Sequence, residues 1–99
     1  MIVYQVTTIV EPRLRDEYEE FMKSRHIPDL LKTGLFQAAT FERADDGTTY
    51  RIRYKTDTRE SLDRYIREFA PALREDLLRQ FPEGIQLARQ VASVLATYP

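Results

Sequence analysis

Residues 24 to 29, SRHIPD, contain the only histidine of the chain, His26, with Arg25 before it and Pro28 two positions after it. An imidazole ionises near neutral pH, so it can bind a ligand, coordinate a metal or transfer a proton. A proton-transfer histidine normally needs an orienting partner, and the local sequence offers none. His26 and Asp29 alone make too weak a donor set for a metal site. We therefore expect Arg25 and His26 either to bind a ligand or to stabilise the end of a helix, where cations are favoured.

A second group of candidates is the alternating basic set Arg51, Arg53 and Lys55. In a strand these three side chains lie on one face of the sheet. If that face lines a cavity, the three cations could bind a carboxylate or a phosphate. The alternative is that Glu42 pairs with Arg51, while the other two lie at a solvated rim or form salt bridges in a dimer. The sequence leaves both alternatives open.

The composition excludes several classes of function. Fifteen basic and sixteen acidic residues give a net charge of −1, unlike the basic surface that nucleic-acid binding requires. Tyr50 and Tyr54, which could stack on bases, alternate away from the basic face. The chain has no cysteine, so it has no disulfide, thiolate metal site or cysteine nucleophile. It also lacks a glycine-rich nucleotide loop, and we expect neither a nucleic-acid partner nor a cofactor.

The length of 99 residues predicts one domain that spans residues 1–99. The apolar N-terminal segment MIVYQVTTIV lacks the basic leader and the cleavage site of a signal peptide. No stretch approaches the ~20 apolar residues of a membrane-spanning helix. We therefore expect a cytoplasmic protein that does not interact with membranes.

The first part of the chain predicts a strand and then a helix that changes direction. Residues 2 to 10 are rich in β-branched and aromatic residues, which favour a strand. Pro28 lacks an amide proton and would clash with the carbonyl of Ser24 in a regular helix. We predict a break between these two residues and a second short helix that ends at Gly34. The two segments have apolar faces on opposite sides, formed by Leu14, Tyr18, Phe21 and Met22, and by Ile27, Leu30 and Leu31.

Residues 35 to 44 and 48 to 56 predict a β-hairpin around Asp46-Gly47, a pair that favours a tight turn. A single register gives the hairpin one mainly apolar face and one polar, largely basic face. The predicted cross-strand pairs are Ala39–Tyr54, Phe41–Ile52 and Arg43–Tyr50 on the apolar face, and Ala38–Lys55, Thr40–Arg53 and Glu42–Arg51 on the polar face.

The second part of the chain predicts a long helix and a closing strand. Asp57 and Glu60 have the spacing of a capping box, and an apolar stripe follows through residues 62 to 77. Pro71 lies opposite that stripe, so it can bend the helix without rotating its buried face. Residues 85 to 98 fit either a helix or a strand. We predict a strand, because the preceding elements need one to close the sheet.

The predicted order β-α-β-β-α-β is that of an α+β, ferredoxin-like fold with two helices on one face of a four-stranded antiparallel sheet. The helices leave the other face uncovered. We expect this uncovered face to carry the three basic residues of the hairpin together with Phe36 and Ala38. A face of such mixed character favours packing on a second sheet, so we expect a homodimer that pairs sheet to sheet.

The segments IVYQVT, HIPDLLKTGLF, GTTYRIRY and RYIREFAPALRED resemble an uncharacterised bacterial family, one of the domain-of-unknown-function families in the dimeric α/β-barrel superfamily. The resemblance spans nearly the whole chain and implies a ferredoxin-like protomer whose sheet packs on a partner's sheet to form a barrel. The superfamily includes cofactor-independent monooxygenases, haem-degrading enzymes, isomerases and proteins that only bind, so membership selects no chemistry. The haem-degrading members resemble one another in a tryptophan and a histidine at the haem pocket. This chain has no tryptophan, which argues against haem chemistry.

Three functions remain open at this point. We favour the binding of a small molecule in a sheet-lined cavity, an anion if the basic strand lines that cavity. A cofactor-independent monooxygenase- or isomerase-like enzyme is the first alternative, and a protein-interaction module without a ligand is the second. An enzyme predicts a closed, partly apolar pocket in which His26 or a tyrosine meets other polar groups. An interaction module predicts a filled interior.

Overall fold

The computed structural model describes all 99 residues. The strands are β1 (Ile2–Val10), β2 (Ala38–Arg43), β3 (Thr49–Thr56) and β4 (Ile85–Ser93). The helical segments are a 3-10 turn (Pro12–Leu14), α1 (Arg15–Phe21), a π-helical segment (Met22–His26), α2 (Ile27–Leu31), α3 (Arg59–Glu68) and α4 (Ala70–Gln80). The sheet is antiparallel in the order β2-β3-β1-β4, which confirms the predicted ferredoxin-like arrangement. None of the helices has the length and apolar character needed to cross a membrane, and the cytoplasmic location stays a prediction.

The β2–β3 hairpin has the predicted register, since all six predicted cross-strand pairs occur. Gly47 has a φ of +76°, the left-handed conformation that a tight turn requires. The Asp46 carboxylate accepts hydrogen bonds from the backbone amides of Thr48 and Thr49, at 2.9 Å each. The turn and the alternation of side chains together fix which residues of the hairpin face the helices.

The hydrophobic core lies between the helices and one face of the sheet, and aromatic rings fill much of it. Phe36 belongs to this core: its ring centroid is 5.1 Å from that of Tyr65 and 5.6 Å from that of Tyr54. The prediction that Phe36 lies on the uncovered face is therefore wrong. The alternation of side chains between the two faces of the sheet does not extend back to Phe36, because β2 begins only at Ala38.

The first helical region changes its buried face without breaking. The backbone stays helical from Arg15 to Leu31, and the Ile27 amide bonds to the carbonyl of Met22, five residues earlier. A π-helical turn contains one extra residue, which rotates the following side chains by about 100° around the axis. The predicted break at Pro28 is thus wrong, although the predicted change of face occurs. This turn buries His26.

The second helical region consists of two helices that meet at Phe69, where φ is −119°. Pro71 is exposed in the first turn of α4, as predicted. The N-cap of α3 is Thr58, whose hydroxyl oxygen accepts a hydrogen bond from the Ser61 amide at 3.1 Å. The predicted cap at Asp57 is wrong by one residue, because Thr58 is the last residue with extended backbone angles.

The closing element is a strand, as predicted, but it ends at Ser93. The tail from residue 94 to residue 99 runs beyond the sheet. Its three large hydrophobic side chains are solvent-exposed, Val94 by 39%, Leu95 by 95% and Tyr98 by 84%. The Val94 amide still donates a hydrogen bond to the carbonyl of Met1 at 2.9 Å, whereas the side chains of Leu95 and Tyr98 have little contact with the rest of the protomer.

The uncovered face of the sheet has the mixed character that the sequence predicts. It carries no helix, and its residues follow the alternation of the paired strands. Its apolar side chains are small or only half-buried, and its cations come from β3. The face consists of Val3, Gln5, Thr7 and Ile9 from β1, Arg51, Arg53 and Lys55 from β3, Ala38, Thr40 and Glu42 from β2, and Gln86, Ala88, Gln90 and Ala92 from β4.

Gly84 packs closely against the start of the first helical region. Its φ is +87°, and a Cβ added there would lie 2.6 Å from the Cδ1 atom of Leu14. At Gly34, φ is +77°, but an added Cβ would meet open space. A left-handed alanine costs about 1–2 kcal/mol at either position. Overpacking adds about 1 kcal/mol at Gly84 only, the low end of the usual range, because the end of the Leu14 side chain can shift.

We therefore expect Gly84→Ala to lower the free energy of unfolding by more than the matched variant Gly34→Ala does. Urea denaturation followed by circular dichroism measures both values. Equal losses in the two variants would contradict the close contact between Gly84 and Leu14.

Candidate functional site

A cavity lies between the sheet and the helices, within one protomer. Its walls come from β1, β3 and β4 on one side and from the first helical region, α3 and α4 on the other. The walls are mainly apolar and aromatic, with no acidic side chain among them. A cavity of this kind, apolar with a few polar groups, is typical of small-molecule sites.

The cavity is narrow in the structure. Its empty volume is about 450 Å³ when the space open to solvent is included, but only about 30 Å³ is available to the centres of water-sized molecules. That smaller volume holds one or two water molecules. A larger ligand must therefore displace side chains at the opening, where Leu73 and Arg74 of α4 are only partly covered.

His26 lines this cavity, and its side chain is not satisfied by the protein. The residue is 9% exposed, and its Nδ1 atom is buried without a hydrogen-bond partner. Its ring lies 6.0 Å from that of Phe21. Burial lowers the pKa of the imidazole below its ordinary value of 6.5, and the carboxylates of Asp76 and Asp29 oppose this effect only in part. The imidazole is therefore neutral at pH 7 and can accept a proton or a hydrogen bond.

Three tyrosines place hydroxyl groups in the same cavity. The rings of Tyr4 and Tyr54 are 6.1 Å apart and those of Tyr4 and Tyr65 are 5.8 Å apart. The tyrosine hydroxyls that form hydrogen bonds within the protein are those of Tyr18 and Tyr50, so the hydroxyls of these three residues are available to a ligand. Burial raises the pKa of Tyr54 and of Tyr65 well above the ordinary value for tyrosine, so both stay protonated and can donate hydrogen bonds.

Tyr18 also reaches the cavity, but its hydroxyl is already occupied. It shares a hydrogen bond of 2.8 Å with the hydroxyl of Thr8, and both residues are fully buried. Burial raises the pKa of Tyr18 to about 12. This pair connects α1 to β1, and we assign it to stability.

The structure separates the predicted site residues into three places. His26 is in the cavity. Arg25 lies outside it, where its guanidinium forms an ion pair with Asp76 and lies 5.2 Å from the ring centroid of Phe21. The predicted basic set lies on the uncovered face, on the opposite side of the sheet from His26. Its members are Arg51, Arg53 and Lys55.

The basic set on the uncovered face has few contacts within the protomer. Arg53 donates a hydrogen bond to the side chain of Gln5 at 3.2 Å. Glu42 and Arg51 lie opposite each other in the hairpin, yet they form no ion pair. None of the three cations forms an ion pair within the protomer, and their role stays a prediction.

Two arginines of the cavity, Arg74 of α4 and Arg89 of β4, are not among the residues predicted from the sequence. The sequence contained a sign of Arg89: in β4 it lies two residues after Leu87 and four after Ile85, so its side chain points to the same face of the sheet, toward the helices. An arginine at an apolar position of a strand indicates that its face is not a closed core. The tyrosines, by contrast, were assigned to the core, which is where their rings lie.

The residues of the structure do not form a metal centre. No group of three or more histidine, aspartate or glutamate side chains is placed to hold a metal ion. The chemistry available in the cavity is that of one neutral imidazole, several phenol hydroxyls and two guanidinium groups.

Solved structures with a similar fold cover almost the whole chain. SnoaB, a cofactor-independent oxygenase from Streptomyces nogalater, superposes with a TM-score of 0.80 at 13% identity, over 99% of this chain and 96% of that one. The monooxygenase ActVA-Orf6 of Streptomyces coelicolor, in complex with nanaomycin D, has a TM-score of 0.68 at 17% identity. The superposition covers 99% of this chain and 91% of that one. A dimeric ferredoxin-like protein from an uncultured marine organism has a TM-score of 0.69 at 14% identity. The superposition covers 100% of this chain and 99% of that one. At such low identities the likeness shows the fold alone.

The sequence comparisons are more specific than the structural ones. No curated protein sequence matches the chain significantly. The profile of one family, described as a domain of unknown function (DUF4286), matches residues 1–94. That match covers nearly the whole chain and agrees with the resemblance seen in its motifs. The chain therefore belongs to the DUF4286 family, and its own structure has a ferredoxin-like fold.

Proposed function

We propose that this protein binds a small aromatic molecule in the cavity between the sheet and the helices, with His26 as a polar contact. The observation that carries the proposal is the Nδ1 atom of a nine-tenths buried imidazole that has no hydrogen-bond partner. A buried polar atom without a partner costs about 1–3 kcal/mol of stability. A ligand that bonds to the imidazole would remove this cost.

The other groups of the cavity support the same proposal. The hydroxyls of Tyr4, Tyr54 and Tyr65 are unpartnered, and their rings form an aromatic wall. Flat aromatic molecules pack well on such rings, in stacked or edge-to-face arrangements. The few polar groups would then orient the ligand, as they do in most small-molecule sites.

The test is a calorimetric titration with 2-naphthol, a flat probe with one hydroxyl, and with nanaomycin D as a second probe. We expect binding to the wild-type protein and a loss of about tenfold in affinity, equivalent to about 1.4 kcal/mol, in His26→Phe. Lys32→Gln is the control, because Lys32 is exposed and lies outside the cavity.

Two outcomes would contradict the proposed site. The first is an absence of binding by the wild-type protein to either probe. The second is a loss of affinity in Arg51→Gln with none in His26→Phe, which would place the ligand on the uncovered face. Arg51 distinguishes these sites because it lies on the opposite side of the sheet from His26.

A cofactor-independent oxygenase is the second candidate function. The fold of SnoaB and the neutral imidazole in the cavity favour it, because a base is needed to ionise a phenolic substrate. The test reaction is the conversion of 1-naphthol and O₂ into 1,4-naphthoquinone and water, in which one oxygen atom enters the ring at C4 and the other leaves as water, so no external reductant is needed. Oxygen uptake that depends on the protein and disappears in His26→Phe supports this function. A rate equal to that of buffer contradicts it.

We also propose that the uncovered face packs on the same face of a second copy. Its mixture of small apolar, polar and basic side chains suits an interface better than open solvent, and the apolar tail around Leu95 and Tyr98 needs a surface outside the protomer. Arg51, Arg53 and Lys55 would then lie at the interface. Light scattering at micromolar concentration tests this proposal: we expect twice the mass of the chain, and a monomer would overturn it.

A further inference from the structure

Two guanidinium groups reach one cavity from opposite walls. Arg74 extends from α4 and Arg89 from β4, and both line the same space as His26. Neither arginine takes part in any ion pair of the protein. The cavity walls contain no aspartate or glutamate that could balance them.

From this arrangement we propose that the ligand is an aromatic carboxylate whose acidic group is bound by Arg74 and Arg89 at the opening of the cavity. The inference rests on the proposed function and specifies the ligand class of that same site. Guanidinium groups hold carboxylates through paired N–H donors, so two of them can satisfy both oxygens.

The position of the two arginines also sets the orientation of the ligand. Both residues are exposed, whereas His26 and the three tyrosines are buried. A carboxylate keeps part of its hydration at the opening, while burying it deeper would be costly. The aromatic body would therefore lie inward, against the tyrosine rings and the neutral imidazole.

The electrostatics of Tyr65 agree with this geometry. Its hydroxyl lies close enough to Arg89 and Arg74 for both charges to favour its ionised form, although burial outweighs them and keeps its pKa high. The positive potential of the two arginines thus extends into the cavity. The same positive potential would attract an anion at the opening.

The experiment compares 2-naphthoate with 2-naphthamide, which has nearly the same shape and no charge. In the wild-type protein at neutral pH we expect the acid to bind about tenfold more tightly than the amide, or better. Arg74→Gln and Arg89→Gln should each reduce this ratio, and the double variant should bring it close to one. The affinity for the amide should change little. Added salt should reduce the ratio in the wild type, because both arginines are exposed.

The control variant is Arg67→Gln, which makes the same charge change on α3 outside the cavity and should keep the wild-type ratio. Thermal melting of each variant checks that it is folded. Equal binding of acid and amide to the wild type would overturn this inference and leave the proposed function standing. Binding of neither probe would overturn both. A ratio unchanged in the double variant would also overturn the role of the two arginines.

Discussion

Replacing Tyr18 by alanine is expected to lower the free energy of unfolding by about 3–5 kcal/mol, the usual loss for a large buried ring. Tyr18 is completely buried. Its ring centroid lies 5.0 Å from that of Tyr50, 6.1 Å from that of Phe41 and 5.9 Å from that of Phe81. One side chain therefore joins α1 to the hairpin and to the end of α4. Since domains of this size are stable by only about 5–15 kcal/mol, the variant should lose a large part of its stability.

The matched variant Tyr18→Phe separates the ring from the hydroxyl. It keeps the aromatic contacts but leaves the buried hydroxyl of Thr8 without a partner, which costs about 1–3 kcal/mol. The double variant with Thr8→Val removes both polar groups and should recover part of that loss. Urea denaturation followed by circular dichroism gives the three values. If Tyr18→Ala were no less stable than Tyr18→Phe, the central role of the ring would be wrong.

Replacing His26 by phenylalanine is expected to have the opposite effect and to stabilise the protein by about 1–3 kcal/mol at neutral pH, the cost of an unsatisfied buried polar atom. The Nδ1 atom has no partner, and the adjacent cavity has room for the slightly larger ring. The matched variant His26→Gln keeps a buried polar group and should show no such gain. If His26 is a binding residue, His26→Phe should be more stable than the wild type and should bind the ligand less tightly.

The pH dependence of stability provides an independent measurement on the same residue. Burial lowers the pKa of His26 in the folded protein below 6.5, its ordinary value. As the pH falls through 6.5, the unfolded chain takes up a proton that the folded chain does not, so stability decreases until the lower pKa is reached. His26→Phe should lack this decrease. A variant that is less stable than the wild type at pH 7, with the same pH dependence, would contradict the unsatisfied imidazole.

The β2–β3 hairpin shows how much of the fold the sequence determines by itself. Its turn at Gly47 and the alternation of its side chains are local features, and only one register satisfies both. The order of the elements and the handedness of their connections then restrict the fold to the ferredoxin-like arrangement. For these reasons the register and the topology could be predicted without a structure.

The first helical region could be predicted only in part. The two apolar faces show that the buried side of the helix changes, and a break at Pro28 explains this change as well as a π-helical turn does. The choice depends on the packing of His26 and Leu30 against the rest of the core, which local sequence does not contain. The same limit applies to Phe36, because the face of the sheet on which its side chain lies depends on where β2 begins.

The sequence by itself determined the fold, the hairpin register and His26 as a candidate site residue, because periodicity and turn chemistry act over a few neighbouring positions. Only the tertiary structure decided which cations meet that histidine. Arg51, Arg53 and Lys55 lie on the uncovered face, whereas Arg74 and Arg89 reach the cavity from α4 and β4. Their convergence arises from the packing of α4 over the sheet, an interaction between segments whose relative placement no local pattern specifies.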